Sequence, residues 1–483
     1  MKILQRTRSR QLLKEMETAT SYRQWSELAK RYDAENGLDK WKQDDGCESY
    51  DYQAIRYRLE VIRDLRARKE HHKLLFALNE GIHGNYGGMG KPSLYNKAKF
   101  GTKHLITHYI QELCGALRDL NEVSDSEIPL EEKQDFFLRA SHCYGRSALM
   151  LSGGAVLGYF HAGVLKALFD EGLLPEIISG SSAGSILAAA ACSHTDDELH
   201  HRLSLDNLHD DADQTEAIRP NLLGAVRKPN VDADNLREYL AKILPDLTFQ
   251  EAFELTGRKL NITVTGLSTR QAPRLLNAIT SPNVLIRTAV QASCAIYGIY
   301  PPVTLMCRNS AGKTVPYLPG DKWIDGSFAD DLPAKRLARL YGVNHFISSM
   351  TNPAALAITP DPDAAPSLLR NVMNYQASFI KHSTAEALRF TRDNIRIKSP
   401  VLSLMQHLTY GVLAQEYTAD INIFLRNRWD HPLRLLAPPS RQAMHRLIYE
   451  GERSTWEKIE MVRNCTAVSR TLDAILHSRG WEK

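Results

Sequence analysis

The sequence predicts an α/β fold: a mainly parallel sheet flanked by helices, with an N-terminal helical domain and a helical C-terminal extension. Three observations predict it. Residues 147 to about 350 alternate short apolar runs with helical patterns, as strands joined by crossover helices do. Two of those runs end in glycine-rich turns that open into helices. On either side of this region the periodicity is mainly helical.

The expected strands are 148–151, 177–179, 260–265, 322–325 and 343–349. Pro282, after Ser281, predicts the start of a helix ending near Ser293, and Pro333 does the same for a helix ending at Gly342. In an open sheet of this kind the site lies at the carboxyl ends of the strands.

Residues 1–146 read as a helical domain. Their longest helical pattern runs from Tyr52 to Leu78, with Ile55, Leu59, Ile62 and Leu65 on one face. Arg56, Arg58, Arg63, Arg66 and Arg68 scatter around that helix and alternate with Glu60 and Asp64. This favours a solvated face laced with ion pairs over a membrane patch. Gly81 to Gly90 reads as a loop; Asn85 and the proline after Lys91 exclude a P-loop.

Residues 147–350 form the central, catalytic domain in this reading. Residues 351–483 form a mostly helical extension packing on it. Pro353, Pro360, Pro362 and Pro366 mark a linker. Leu368–Arg396 and Leu402–Leu413 then carry apolar stripes. Such stripes are more often core than membrane contact. Asp420–Phe424 reads as a late strand, and the last forty residues as helix.

Composition narrows the function. Net charge is +4 over 483 residues, too small to argue for a nucleic-acid partner. No run approaches the ~18 apolar residues of a spanning helix. The first residues, Met1-Lys2-Ile3-Leu4-Gln5-Arg6, lack an apolar signal core, so a cytoplasmic location is expected. Seven cysteines without C-x-x-C spacing argue against a disulfide framework or a zinc site. Neither a metal nor an organic cofactor is expected. Oligomeric state is not legible.

The chemistry concentrates in three short stretches. Gly180-Ser181-Ser182-Ala183-Gly184 follows Ile177-Ile178 and opens into Ile186-Leu187-Ala188. That is strand, sharp turn, helix, the setting in which a G-x-S-x-G turn exposes its serine as a nucleophile. Chance supplies on the order of 0.1 such pentapeptides in a chain this long. The helix N-terminus sets unpaired N–H groups and partial positive charge beside the Ser182 oxygen. Ser152-Gly153-Gly154 repeats the layout after Ala148–Leu151. Backbone amides there suit a developing oxyanion, or equally a phosphate; the elbow some thirty residues on favours the oxyanion. Trp323-Ile324-Asp325-Gly326-Ser327 places an acid at the end of an apolar stretch. Asp325 can act as base if burial raises its pKa. The rival is a Ser–Asp–His triad using His345, His382, His407, His431, His445 or His477; spacing does not decide between them.

Leu151 through Val164, the Gly180–Gly184 elbow and Asp325-Gly326-Ser327 together resemble the patatin-like acyl hydrolases. More narrowly the chain resembles their fungal lipid-droplet and plant oil-body triacylglycerol lipase branch. Thr280–Val284, Ala292–Ala295, Val343–Ile347 and Gly451–Trp456 support the narrower match, and Leu94-Tyr95 and Gly101-Thr102-Lys103 extend it into the N-terminal domain. The resemblance implies a Ser182–Asp325 dyad and an oxyanion hole from the backbone of Gly153, Gly154 and Ala155. It implies a lipid ester as substrate, cleaved through an acyl-enzyme, with peripheral association to a membrane or lipid droplet. Two positions depart from the family: Ser152 stands where many members have glycine, and Tyr297 where they have proline. Because Ser152 already carries a side chain, alanine is expected to be tolerated there with a small loss of turnover. Rival activities are phospholipase A and lysophospholipid acyltransferase; a rival outside the enzymes is a lipid-surface scaffold.

Overall fold

The computed structural model describes residues 2–203, 229–268, 271–297, 299–358, 383, 386, 415, 417, 419–425 and 440–481. The chain forms two compact units. One comprises Met1–Ser147, Leu337–His345 and Thr455–Lys483; the other comprises Ala148–Arg336 and Phe346–Ser454.

The first unit is helical. Helix His104–Glu122 buries Leu105, Ile106, Tyr109, Ile110, Leu113, Leu117 and Leu120, an i, i+3, i+4 stripe. The long pattern expected over 52–78 is two helices, Tyr52–Ala67 and His71–Asn79. Lys69 breaks it by adopting φ +56°, a left-handed conformation that no helix continues through. The arginines of the first helix enter ion pairs: Arg63 with Glu112 at 3.2 Å, Arg66 with Glu112 and with Asp119 at 2.7 Å, and Arg68 with Asp64 at 2.9 Å. Thr102 donates to the Leu94 carbonyl at 2.9 Å, and the buried Lys103 ammonium donates to the carbonyls of Trp41 and Asp44. Those stretches therefore form a buried polar joint. Helix Ile459–Arg479 belongs to this unit, and a cavity of about 330 Å³ opens beside it, lined by Cys114, Arg118, Arg470 and Thr471 among others. This last helix groups with the N-terminal helices.

The strands are β1 Arg146–Leu151, β2 Ile177–Gly180, β3 Lys259–Gly266, β4 Arg274–Leu276, β5 Met306–Arg308, β6 Thr314–Pro316, β7 Trp323–Asp325, β8 Val343–Met350 and β9 Ile421–Phe424. The sheet runs β4-β3-β2-β1-β8-β9, with β7 also paired to β3; β5 and β6 form a separate hairpin. β1–β2, β2–β3 and β8–β9 are parallel, and β4 and β7 lie antiparallel on β3. Near-continuous burial along β1, β2 and β3 is what helix-covered parallel strands require. All five expected strands are present, as is the late strand. The strand carrying Asp325 is antiparallel, a sense that apolar periodicity does not encode.

Two helix boundaries differ. Pro282 begins no helix; Val284 bridges to Cys307, and the helix is Ile286–Ser293. Pro353 begins the helix Pro353–Ile358 instead of a linker, as its fixed φ allows at a first helical position. The apolar stripes at 368–396 and 402–413 lie outside the described residues, apart from isolated positions.

Helix Tyr159–Asp170 crosses helix Arg441–Trp456 at paired glycines. A Cβ on Gly163 would strike the Ile448 carbonyl, and one on Gly451 the Phe160 carbonyl. Beside that crossing Lys166 meets the buried Glu452 at 2.8 Å.

Candidate active site

Ser182 stands at the turn between β2 and the helix Ala183–Ser193, with φ +48° and ψ −125°. A left-handed φ on serine is strained and persists only when the surroundings hold it. The flanking glycines show how. A Cβ on Gly180 would strike the Gly184 carbonyl, and one on Gly184 the Leu151 carbonyl. The turn closes only because both side chains are absent. The Ser182 amide donates to Ser293 Oγ at 3.0 Å, and Ser185 Oγ donates to the Ser182 carbonyl at 2.6 Å.

Asp325 ends β7 opposite Val264 of β3. It is buried; its carboxylate accepts the Ser327 amide at 2.8 Å and the Ser327 hydroxyl at 2.7 Å, and the Ser182 side chain is near enough to lower its pKa. Burial pushes this carboxyl up to about 6, and the hydrogen bonds from Ser327, together with the Ser182 side chain, oppose that rise. Asp325 is thus ionised at neutral pH and still basic enough to take a proton.

The glycine turn after β1 lies beside both. A Cβ on Gly153 would sit 3.0 Å from Ser327 Cβ and 3.4 Å from Ser182 Cβ. The Gly153 amide, however, donates to Asp331 Oδ1 at 2.7 Å. That N–H is committed to a carboxylate and is not an open oxyanion donor. Gly154 and Ala155 follow; among the described residues neither amide has a protein acceptor, and Ala155 adopts φ +48°.

A buried polar network lies under this turn. Ser152 Oγ accepts the amides of Thr351 at 2.8 Å and Asn352 at 3.3 Å, and donates to the Gly153 carbonyl at 3.1 Å. Ser152 is a joint between the ends of β1 and β8, and alanine there would leave the Thr351 and Asn352 amides without this acceptor. His161 is fully buried between Ser349 Oγ at 2.7 Å, the Ser152 carbonyl at 2.9 Å and Thr351 Oγ1 at 3.0 Å. Burial pushes its pKa down to about 4, so the ring is neutral. Of the later histidines, His345 bonds Ser147 Oγ at 2.9 Å and His445 packs on Tyr449. His477 lies on the last helix; His382, His407 and His431 lie outside the described residues.

Sequence reasoning missed Asp331, Asn352, Ser293 and His161. Asp331 left a trace, as the second of the adjacent acids Asp330 and Asp331, six residues beyond Asp325 and just before Pro333. Tyr297, Leu267 and Phe328 pack on Ile324, next to Asp325, and give this side of the site an apolar wall. Among the described residues no three His, Cys, Asp or Glu side chains are grouped to hold a metal ion, and no helix is long and apolar enough to cross a membrane.

A serine on a strained strand-to-helix elbow, a buried acid near it, and a glycine turn on a mainly parallel sheet define a nucleophile-elbow α/β protein. Residues 149–338 match the model of the patatin-like phospholipase family, and residues 2–142 match a domain of unknown function, DUF3336. Triacylglycerol lipase ptl3 of Schizosaccharomyces pombe is 32% identical, covering 94% of this chain and 94% of its own. Triacylglycerol lipase SDP1L of Arabidopsis thaliana is 31% identical over 95% of this chain and 57% of its own. A patatin-like phospholipase domain-containing protein of Cryptococcus neoformans is 32% identical over 97% of this chain and 54% of its own. This chain spans about half the length of several such relatives. The chain belongs to the patatin-like phospholipase family.

Proposed function

We propose that this chain is a serine acyl hydrolase that cleaves lipid esters, triacylglycerol foremost, at a lipid surface it binds peripherally. The observation that carries the reading is the strained, buried Ser182 and the buried Asp325, on which Ser182 acts, gathered beside the glycine turn after β1. The named lipases among its relatives support the substrate class.

Ser182 Oγ attacks the ester carbonyl as its proton passes to Asp325. The carbonyl oxygen becomes an oxyanion facing the amides of Gly154 and Ala155. Collapse breaks the ester C–O bond, and the leaving alkoxide takes the proton from Asp325, freeing the alcohol. Water then attacks the acyl-enzyme, giving its proton to Asp325. Collapse of the second intermediate returns that proton to Ser182 Oγ and releases the fatty acid. An aspartate suffices as base because burial has already raised its proton affinity.

The test is purified protein against triacylglycerol emulsion, phospholipid vesicles and a soluble short-chain ester, with and without a lysolipid acceptor. The reading predicts fatty acid and diacylglycerol from the emulsion, abolished by Ser182→Ala. Preferential phospholipid cleavage, or transfer to the lysolipid, would move the assignment to a phospholipase A or an acyltransferase. Absence of any serine-dependent turnover would leave a lipid-surface scaffold.

A further inference from the structure

Asp331 lies in the same stretch as Asp325, just past the short helix Ser327–Asp330. It is fully buried. Its two carboxylate oxygens are divided between two partners: Oδ1 accepts the Gly153 amide at 2.7 Å and Oδ2 accepts Asn352 Nδ2 at 2.9 Å. Its backbone is held as well. Its amide donates to Gln415 Oε1 at 2.7 Å, and its carbonyl accepts Ser181 Oγ at 3.2 Å. Asp331 therefore joins four parts of the site: the glycine turn after β1, the elbow at Ser181, the segment carrying the base, and Asn352 beyond β8. Asp325, Asp330 and Tyr417 are the other titratable groups acting on it, and burial with the two acids pushes its carboxyl up to about 7.

We propose that Asp331 is a positioning residue for ester hydrolysis, its carboxylate anchoring the Gly153 peptide so that the Gly154 and Ala155 amides present to the oxyanion. The inference rests on the acyl-hydrolase reading above. Two features carry it. A buried carboxylate is costly, and one aimed at a single backbone N–H of the reactive turn constrains that peptide's plane. Ala155, two residues on, holds a left-handed φ that alanine does not adopt unaided. Among the described residues only four non-glycine positions have positive φ, and Ala155 and Ser182 are two of them. The Ser182 peptide is anchored by Ser293, and the Gly153 peptide by Asp331.

The experiment compares wild type, Ser182→Ala, Asp331→Asn and Asp331→Leu on a soluble ester, measuring kcat and KM. It adds the affinity for a trifluoromethyl ketone, whose hemiketal oxyanion reads the amide donors directly. Asp331→Asn keeps an acceptor for the Gly153 amide; Asp331→Leu keeps the bulk without one. Expected is a fall in kcat of about a hundredfold for Asp331→Leu, of the order seen when an oxyanion donor is lost. Ketone affinity should fall in parallel, with KM changed less than about threefold, and Asp331→Asn should recover most of the loss. Should Asp331→Leu fail to fold, Asn352→Ala takes its place, with both kcat and ketone affinity expected to fall about tenfold. Folded variants with near-normal kcat and ketone affinity overturn the proposal, as does a loss confined to KM or to thermal stability. If wild type shows no turnover lost in Ser182→Ala, the acyl-hydrolase reading itself fails. If that turnover is present and Asp331 is indifferent, only the present inference fails.

Discussion

Gly154 faces Thr351 so closely that a Cβ on the glycine would collide with Thr351 Oγ1, with Thr351 Cβ only 2.8 Å away. The φ of Gly154 is extended, so shortage of space and not backbone conformation demands glycine here. Gly154→Val is expected to displace the turn and cost about a hundred- to a thousandfold in kcat on a soluble ester, the range for a lost oxyanion donor. Ser152→Ala acts differently. It strips an acceptor from the amides of Thr351 and Asn352, a loss of about 1–3 kcal/mol of stability for each buried group left unpaired. Urea unfolding and turnover, measured on both variants, separate the two effects.

Asp325→Asn removes the proton acceptor and should leave less than about a hundredth of wild-type kcat, within the usual range for general-base loss. His345→Ala, His445→Ala and His477→Ala should each retain most activity. A histidine variant as inactive as Asp325→Asn would replace the dyad with a triad.

The acid limb of the pH–rate profile should follow Asp325. Its carboxyl must be ionised to accept a proton, so kcat should fall about tenfold per pH unit below about 6. An unperturbed aspartate would place that limb near pH 4. A flat kcat between about pH 4.5 and about pH 7, in buffers where the protein stays folded, would argue against burial as the source of basicity.

Stability should run the other way. Asp325 and Asp331 both titrate higher in the folded protein than the ordinary 3.8. Each favours folding fully below the unfolded value, and that contribution is lost as pH rises through about 6 and about 7 respectively. Asp331→Asn removes one such titration. Its melting temperature relative to wild type should therefore improve between pH 4 and 8 by several degrees, at roughly 2–4 °C per kcal/mol.

Gly451→Val should destabilise the catalytic unit by about 1–3 kcal/mol, the usual cost of overpacking, because its side chain meets the Phe160 carbonyl. The dyad is untouched, so turnover per folded molecule at low temperature should remain near wild type. Melting curves with active-site titration check this.

Much of the fold and site was legible because local physics encodes it. The strand-turn-helix pattern around Ser182 is contiguous, and the apolar run before Asp325 marks its strand. The antiparallel sense of β7 was hidden, since strand direction depends on chain connections and not on side-chain pattern. The helix break at Lys69 was hidden because lysine is a good helix former and the left-handed φ is imposed by packing. Asp331 and Asn352 stand 178 and 199 residues from Gly153 in sequence, the first separation seen directly in its bond. No local motif joins residues so far apart. Gly153 illustrates the limit: the sequence marks a turn able to offer amides, and only the fold shows that one of them is already taken.

The central claim is that Ser182 is the nucleophile. A fluorophosphonate probe forms a stable adduct with an activated serine, and proteolysis with mass spectrometry locates it. The account predicts stoichiometric labelling on the peptide bearing Ser182, lost in Ser182→Ala and strongly slowed in Asp325→Asn, with hydrolysis lost in step. An adduct on another residue, with Ser182→Ala still hydrolysing lipid ester at the wild-type rate, would contradict it.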